Sequence, residues 1–290
     1  MEYLGADTVL IRCLLCGSAS DSTLLFYRGY RIARCLDCNF IFVNPRPTEQ
    51  ALLRLYSNQQ ANPFLKRHFE ALDCELPVLV KIIGKIQKYL PSGKLLEIGC
   101  GRGDFLRVAQ LHGFSVTGCD IFGGCMPVID DTTFYDGTLK DAKFADCSFD
   151  IVVIRNTLEH LFNPNIELEE IMRILKPGGY LYTKVPNVEF EYGFRCRLLY
   201  RRNHHFEPPY HLNYFNQASF YRLITNAQFD FLTWILEEPT RHRKWTKNLL
   251  RKTGYRFIQA SYLLSGGKMF PKPVLACLSR KESRGERRLG

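Results

Sequence analysis

The sequence predicts an α/β protein: a mainly parallel sheet with helices on both faces, preceded by a small four-cysteine module. Two observations carry this. From Lys94 onwards, short apolar runs alternate with amphipathic stretches, a pattern that reads as βαβ units with right-handed crossovers. Before that point, Cys13-x-x-Cys16 and Cys35-x-x-Cys38 are two knuckles separated by 18 residues, within the spacing of a four-thiolate zinc ribbon.

Residues 1–45 form the ribbon. Between the knuckles, TLLFY and YRIAR flank Arg28-Gly29 as a hairpin, and FIFVN follows the second knuckle. The unit reads as strand-poor and almost coreless, so a metal staple is expected, with Cys13, Cys16, Cys35 and Cys38 closing a tetrahedral zinc shell that has no open position. The seven other cysteines mostly sit within apolar strands or beside glycines and read as small core residues. Residues 46–92 read as a helical linker or cap. Asn44-Pro45-Arg46-Pro47 disfavours helix, Thr48 is placed to cap the pattern after it, and Pro91-Ser92-Gly93 is a stop.

Residues 93–281 then supply strands KLLEIG, SVTGCD, FDIVVI, YLYTKV, FLTWILEE and VLACLS, with helices in DFLRVAQLHG, NIELEEIMRIL and SFYRLITNAQF. Insertions are expected at about 188–212 and 239–271, the second between two antiparallel neighbours, and 282–290 is a basic tail.

The sharpest motif is Leu95-Leu96-Glu97-Ile98-Gly99-Cys100-Gly101-Arg102-Gly103-Asp104, a buried strand running into a glycine-rich turn and a helix. Glycines there permit positive φ and close backbone approach to a ligand, and the helix start offers free N–H groups. A dinucleotide fingerprint would need glycine at position 104, which is Asp104. Asp120 closes the next strand about 20 residues on, where an acid usually binds ribose hydroxyls. The E-x-G-x-G-x-G spacing resembles motif I of class I S-adenosylmethionine (SAM)-dependent methyltransferases. Phe149–Ile154 with Arg155-Asn156-Thr157-Leu158-Glu159-His160, and Leu175-Lys176-Pro177-Gly178-Gly179, are similar to that family's fourth strand and the turn into its fifth.

The resemblance covers roughly residues 94–281. It implies a Rossmann-like, seven-stranded sheet of order 3-2-1-4-5-7-6 and SAM as cofactor. Its implied cofactor residues are Glu97, Gly99, Cys100, Gly101 and Gly103 on the methionine and ribose side, Asp120 and Ile121 at the ribose, Thr138 and Leu139 at the adenine, and Asn156 beside the methionine. The run Pro208-Pro209-Tyr210-His211-Leu212-Asn213-Tyr214-Phe215 resembles a P-x-H-L-x-x-F motif of bacterial methyltransferases acting on sugars and surface glycans. That makes His211 the candidate base, with Tyr210 beside it and His160 as a further candidate.

Composition bounds the partners. Residues 195–202, 241–256 and 280–290 carry +4, +7 and +3 of a net charge of +10, so the rest of the chain is mildly acidic. Such local basic excess fits an anionic partner at one surface: an anionic small-molecule or glycan acceptor, an anionic membrane face, or, less favoured, nucleic acid. The first residues lack a signal-peptide pattern and no run of 18 uncharged apolar residues occurs, so a cytoplasmic protein is expected, with peripheral contact to the inner membrane as a variant.

Among enzymes, an RNA base methyltransferase with a zinc module is the competing class. Its zinc modules mix cysteine and histidine, and amino-group methylation usually brings N-P-P-Y directly after strand four, where this chain reads Arg155-Asn156-Thr157-Leu158. A non-catalytic zinc-ribbon scaffold conflicts with the intact glycines and Asp120. Related sugar C-methyltransferases carry a further C-terminal domain, which turns the expectation towards O-methylation of a sugar in polysaccharide or secondary-metabolite synthesis.

Overall fold

The apolar runs after Lys94 are too short to bury their faces alone, and they do so by assembling side by side. The computed structural model describes residues 7–57, 76–121, 132–189, 206–237, 264 and 274–282. Its N-terminal part contains β1 (Thr8–Val9), β2 (Asp21–Tyr27), β3 (Tyr30–Cys35), β4 (Ile41–Val43) and β5 (Arg46–Pro47), then α1 (Glu49–Ser57) and α2 (Leu76–Ile86). There follow β6 (Gly93–Ile98), α3 (Asp104–Leu111), β7 (Phe114–Asp120), β8 (Thr133–Asp136), α4 (Leu139–Ala142), β9 (Phe149–Arg155) and α5 (Pro164–Ile174). The last elements are β10 (Leu175–Pro186), β11 (Asn213–Tyr214), α6 (Gln217–Asn226), β12 (Phe229–Trp234) and β13 (Val274–Lys281).

One seven-stranded sheet runs β12-β13-β10-β9-β6-β7-β8. Counted from β6, this is the order 3-2-1-4-5-7-6. Pairing is parallel from β8 across to β10, and β13 is antiparallel to both its neighbours. Period-two alternation sends Leu96, Val152 and Ile154 to one face, against Leu168 and Ile171 of α5. It sends Leu95, Ile151 and Val153 to the other, against α2 and α3. Burial on both faces explains why β9 is continuously apolar. In α2, Val78, Leu79, Ile82, Ile83 and Ile86 form one buried stripe at helical spacing.

The N-terminal segment departs from expectation. It is not strand-poor: β2, β3 and β4 form three strands of a second sheet, ordered β11-β4-β3-β2. Arg28 and Gly29 both take positive φ, at 51° and 83°, as a two-residue type I′ hairpin turn requires. The fourth strand comes from far along the chain, with Asn213 opposite Phe42 and Tyr214 opposite Ile41. The missing core is found the same way, because Tyr30, Ile32, Ile41 and Val43 pack with Leu52, Tyr56, Phe206, Leu212 and Tyr214. Thr48 caps α1 as expected, its Oγ1 accepting from Ala51 N at 3.2 Å.

Much of the two expected insertions (190–205 and 238–263), the tail 283–290, and Cys74, Cys125, Cys196, His204 and His205 lie outside the described residues. Among the described residues no helix is long and apolar enough to cross a membrane.

Candidate cofactor and acceptor site

The carboxyl ends of β6, β7 and β9 carry the predicted cofactor residues. Gly99, Gly101 and Gly103 follow β6 with φ of 69°, 49° and 70°. At Gly99 a Cβ would stand 2.2 Å from Thr157 Oγ1, so the segment after β9 presses directly on the glycine loop. At Gly101 a Cβ would meet nothing within 4 Å, leaving open space beside the turn. Gly101 N donates to Asp120 Oδ2 at 2.7 Å, which holds that carboxylate at the end of β7.

Glu97 is buried, and burial pushes its carboxyl up to about 8. Asp120 and Asp104 add to this, while Arg155, 3.9 Å away, works against it. Its Oε2 has no hydrogen-bond partner. A buried acid with one unpartnered oxygen, beside an open glycine turn, fits a ligand that brings a cationic donor, as the methionine end of SAM does.

The other cofactor residues divide. Cys100 is buried. Ile121 is half-buried and packs against the core shared with the N-terminal sheet. Thr138 caps α4 in a reciprocal box with Asp141, and Leu139 is buried in the core beneath. Asn156 sits at φ 50°, its N–H donating to Lys184 O at 2.9 Å.

The acceptor candidates converge. His160 N donates to Thr157 O at 2.9 Å, one turn from the residue that touches Gly99. Its ring lies 4.7 Å from that of His211, at 74°. His160 Nδ1 lies 3.0 Å from Tyr210 O and 3.1 Å from Tyr56 OH, leaving Nε2 towards Glu159 Oε1 at 4.0 Å. His211 Nε2 is 3.9 Å from Glu207 Oε2. The segments are locked together, since Leu212 N and Asn213 N both donate to Glu159 O, at 2.8 and 3.1 Å. Tyr210 stacks edge-on against Tyr56 at 5.9 Å. Ligand atoms of Glu159, His160 and His211 lie within 4.8 Å of one another.

A family profile for a methyltransferase domain matches residues 74–233, over half of the chain. The chain belongs to the methyltransferase-domain family. With its strand order, this is the class I SAM-dependent architecture. A ubiquinone/menaquinone biosynthesis C-methyltransferase of Geotalea daltonii is 27% identical over 161 residues, 50% of this chain and 66% of that protein. A ubiquinone biosynthesis O-methyltransferase of Xanthomonas oryzae pv. oryzae is 26% identical over 175 residues, 53% of this chain and 70% of that one. The chain thus spans about two thirds of the length of these relatives. In fold it resembles the 1,6-didemethyltoxoflavin N1-methyltransferase of Burkholderia thailandensis, solved with 1,6-didemethyltoxoflavin and S-adenosylhomocysteine (SAH) bound. The TM-score is 0.54 at 14% identity, over 90% of this chain and 100% of that one.

The methyltransferase's four N-terminal cysteines cluster as their spacing predicts. Cys13 and Cys38 sulfurs are 3.4 Å apart and those of Cys16 and Cys35 3.5 Å, far beyond a disulfide bond and close to the ~3.8 Å edge of a tetrahedron with Zn–S bonds of about 2.3 Å. Burial pushes the Cys13 thiol up. Cys35, despite burial acting the other way, is held below the ordinary thiol value by the Cys38 and Asp37 N–H groups. An all-sulfur donor set fits zinc.

Sequence reasoning did not single out Tyr56, Glu159, Glu207 or Arg155. None belongs to a spaced motif whose chemistry is legible alone. Glu159 and Glu207 do stand next to, or one turn from, the two histidines, and that proximity was the available signal.

Proposed function

We propose that this methyltransferase moves a methyl group from SAM to a hydroxyl of a small-molecule acceptor, with an anionic sugar or glycan unit as the acceptor class. The observation that carries it is the meeting of His160 and His211, with rings 4.7 Å apart, His160 lying one turn after Thr157, which faces Gly99. SAM, when bound, supplies a methyl group on a positively charged sulfur. Around it, Glu97, Gly99, Cys100, Gly101 and Gly103 would line the methionine and ribose, Asp120 and Ile121 the ribose, Thr138 and Leu139 the adenine, and Asn156 the methionine.

The chain's own work is alignment and proton removal. His211 takes the acceptor's hydroxyl proton, the freed oxygen pair forms the bond to the methyl carbon, and the broken bond's electrons stay on sulfur. Glu207, 3.9 Å from His211 Nε2, steadies the imidazolium so formed. The Tyr210 carbonyl accepts from His160 Nδ1–H, fixing the Nδ1–H tautomer and leaving Nε2 as the ring's acceptor. Tyr56 and Tyr210 supply an aromatic wall. Cys13, Cys16, Cys35 and Cys38 would hold zinc, which there would serve the fold and not the reaction. The basic segment 241–256, with Arg241, Arg243, Lys244 and Trp245, lies outside the described residues; its charge supports an anionic acceptor or an anionic membrane face.

A second reading rests on the spacing of Glu159, His160 and His211. A divalent cation held there would acidify the acceptor hydroxyl directly. The relative named as a ubiquinone biosynthesis O-methyltransferase makes phenolic hydroxyls the competing acceptor class, and the C-methyltransferase relative makes a quinol ring carbon another.

The test incubates the protein with methyl-deuterated SAM and two panels, nucleotide-linked sugars and catechol-type quinols, and reads label transfer by mass spectrometry. Transfer to a sugar, lowered about 10²–10⁴-fold in His211→Gln with SAH affinity unchanged, supports the proposal. Transfer to quinols alone moves the acceptor class, and transfer restored by Mg²⁺ or Mn²⁺ after EDTA, with cysteine-bound zinc retained, favours the metal reading.

A further inference from the structure

Between the four-cysteine module and the histidine segments lies a guanidinium with no solvent exposure. Arg46 is 0% exposed. Its Nε donates to Val43 O at 3.3 Å, Nη1 to Phe162 O at 2.6 Å, and Nη2 to Asn213 Oδ1 at 3.2 Å and Leu212 O at 3.5 Å. The rings of Phe42 and Phe162 lie 6.0 and 5.8 Å from it. Three segments remote in sequence therefore meet on one side chain: the end of β4, the stretch after β9 that carries His160, and the stretch before β11 that carries His211.

Asn213 extends the tie. While its Oδ1 accepts from Arg46, its Nδ2 donates to Leu158 O at 3.3 Å and Leu161 O at 2.8 Å, the residues flanking Glu159-His160. Val43 N reaches Leu212 O at 2.9 Å, continuing the pairing of β4 with β11.

A dry cation is costly, and burial pushes the pKa of Arg46 down to about 9. A leucine or methionine would fill the space without that cost. What only arginine supplies is a rigid planar fork that can satisfy several carbonyls in one fixed geometry.

We propose that Arg46 is a positioning residue for the acceptor site, fixing the His160 and His211 segments to each other and to the four-cysteine module. This deepens the function proposed above only in the use it gives the histidines. None of Arg46's partners belongs to the glycine loop or to Asp120, so cofactor affinity is expected to survive its loss.

The test uses full-length, zinc-loaded Arg46→Gln and Arg46→Lys. It reads SAH affinity by calorimetry, exchange of the Leu212 and Asn213 amides that donate to Glu159 O, and ¹⁵N-histidine NMR spectra across pH. In Arg46→Gln, SAH affinity is expected to stay within about twofold and the two amides to exchange at least about tenfold faster. His160 loses its fixed Nδ1–H tautomer, and Arg46→Lys, with part of the fork's reach, is intermediate. If Arg46→Gln does not melt cooperatively, Asn213→Ala cuts the same tie from the other side and is read the same way. Unchanged amide protection and histidine spectra in a folded variant overturn the proposal, as does SAH affinity that falls in step with them. Wild-type protein that fails to bind SAH would sink the methyltransferase activity instead, while the amide and histidine readouts still decide the role of Arg46.

Discussion

Cofactor affinity should rise steeply with pH, and Glu97 is the reason. Burial, seconded by Asp120 and Asp104, pushes its carboxyl up to about 8 against the pull of Arg155. At pH 7 that leaves a minority of molecules ionised, so readying Glu97 for a cationic amino group costs on the order of 1 kcal/mol. Between pH 6 and pH 8 the apparent SAH dissociation constant is expected to fall roughly 10–100-fold, and binding at pH 7 to release a large part of one proton. Titration calorimetry in two buffers of different ionisation enthalpy reads both quantities.

Glu97→Gln should bind weakly with a flat profile. The sign for folding is opposite. The cofactor-free folded chain keeps a proton that the unfolded chain sheds near its ordinary value of 4.5, so Glu97's contribution to stability is whole below that pH and is lost as pH rises through about 8. The melting shift produced by saturating SAH is therefore larger at pH 8 than at pH 6. Equal affinity at pH 6 and pH 8, with no proton released, would refute this reasoning.

Asp120→Ala removes the carboxylate that Gly101 N–H holds at 2.7 Å. Losing charge-assisted hydrogen bonds of about 1.5–3 kcal/mol should weaken SAH binding roughly 10–100-fold with the melt little changed. Gly99→Ala places a Cβ 2.2 Å from Thr157 Oγ1 at φ 69° and should destabilise by about 1–3 kcal/mol in chemical denaturation; adding Thr157→Ala should recover part of that loss. Cys35→Ser should drop bound zinc from one per chain to near none by metal analysis, and speed amide exchange in residues 206–214 because β4 and β11 pair.

The sheet was legible because its strands announce themselves. Ile151–Ile154 is apolar on both faces, and glycine at 99, 101 and 103 marks the turn after β6. The order of strands came through family resemblance, since nothing local to Val274–Lys281 says that it inserts between β10 and β12. Thr133–Asp136 is not legible as a strand, because in a mostly exposed edge strand Phe134 and Tyr135 stand side by side and leave no alternation.

The cysteine cluster was readable from spacing alone. The module's real core was not, because Leu52, Tyr56, Val188, Phe206, Leu212 and Tyr214, all from beyond the module, complete it. A two-residue strand such as Asn213–Tyr214 carries no periodicity, and its partner lies some 170 positions away. Arg46 was hidden for the same reason. In sequence it is a charge between two prolines, and only tertiary packing turns it into a buried hub.

The most direct test of the account is titration calorimetry of SAH into the zinc-loaded protein beside Asp120→Ala. Micromolar, one-to-one binding that weakens by at least about tenfold in the variant is what the glycine loop and Asp120 predict. A folded, zinc-loaded wild-type protein that gives no binding heat, and no change in melting at millimolar SAH, would contradict it.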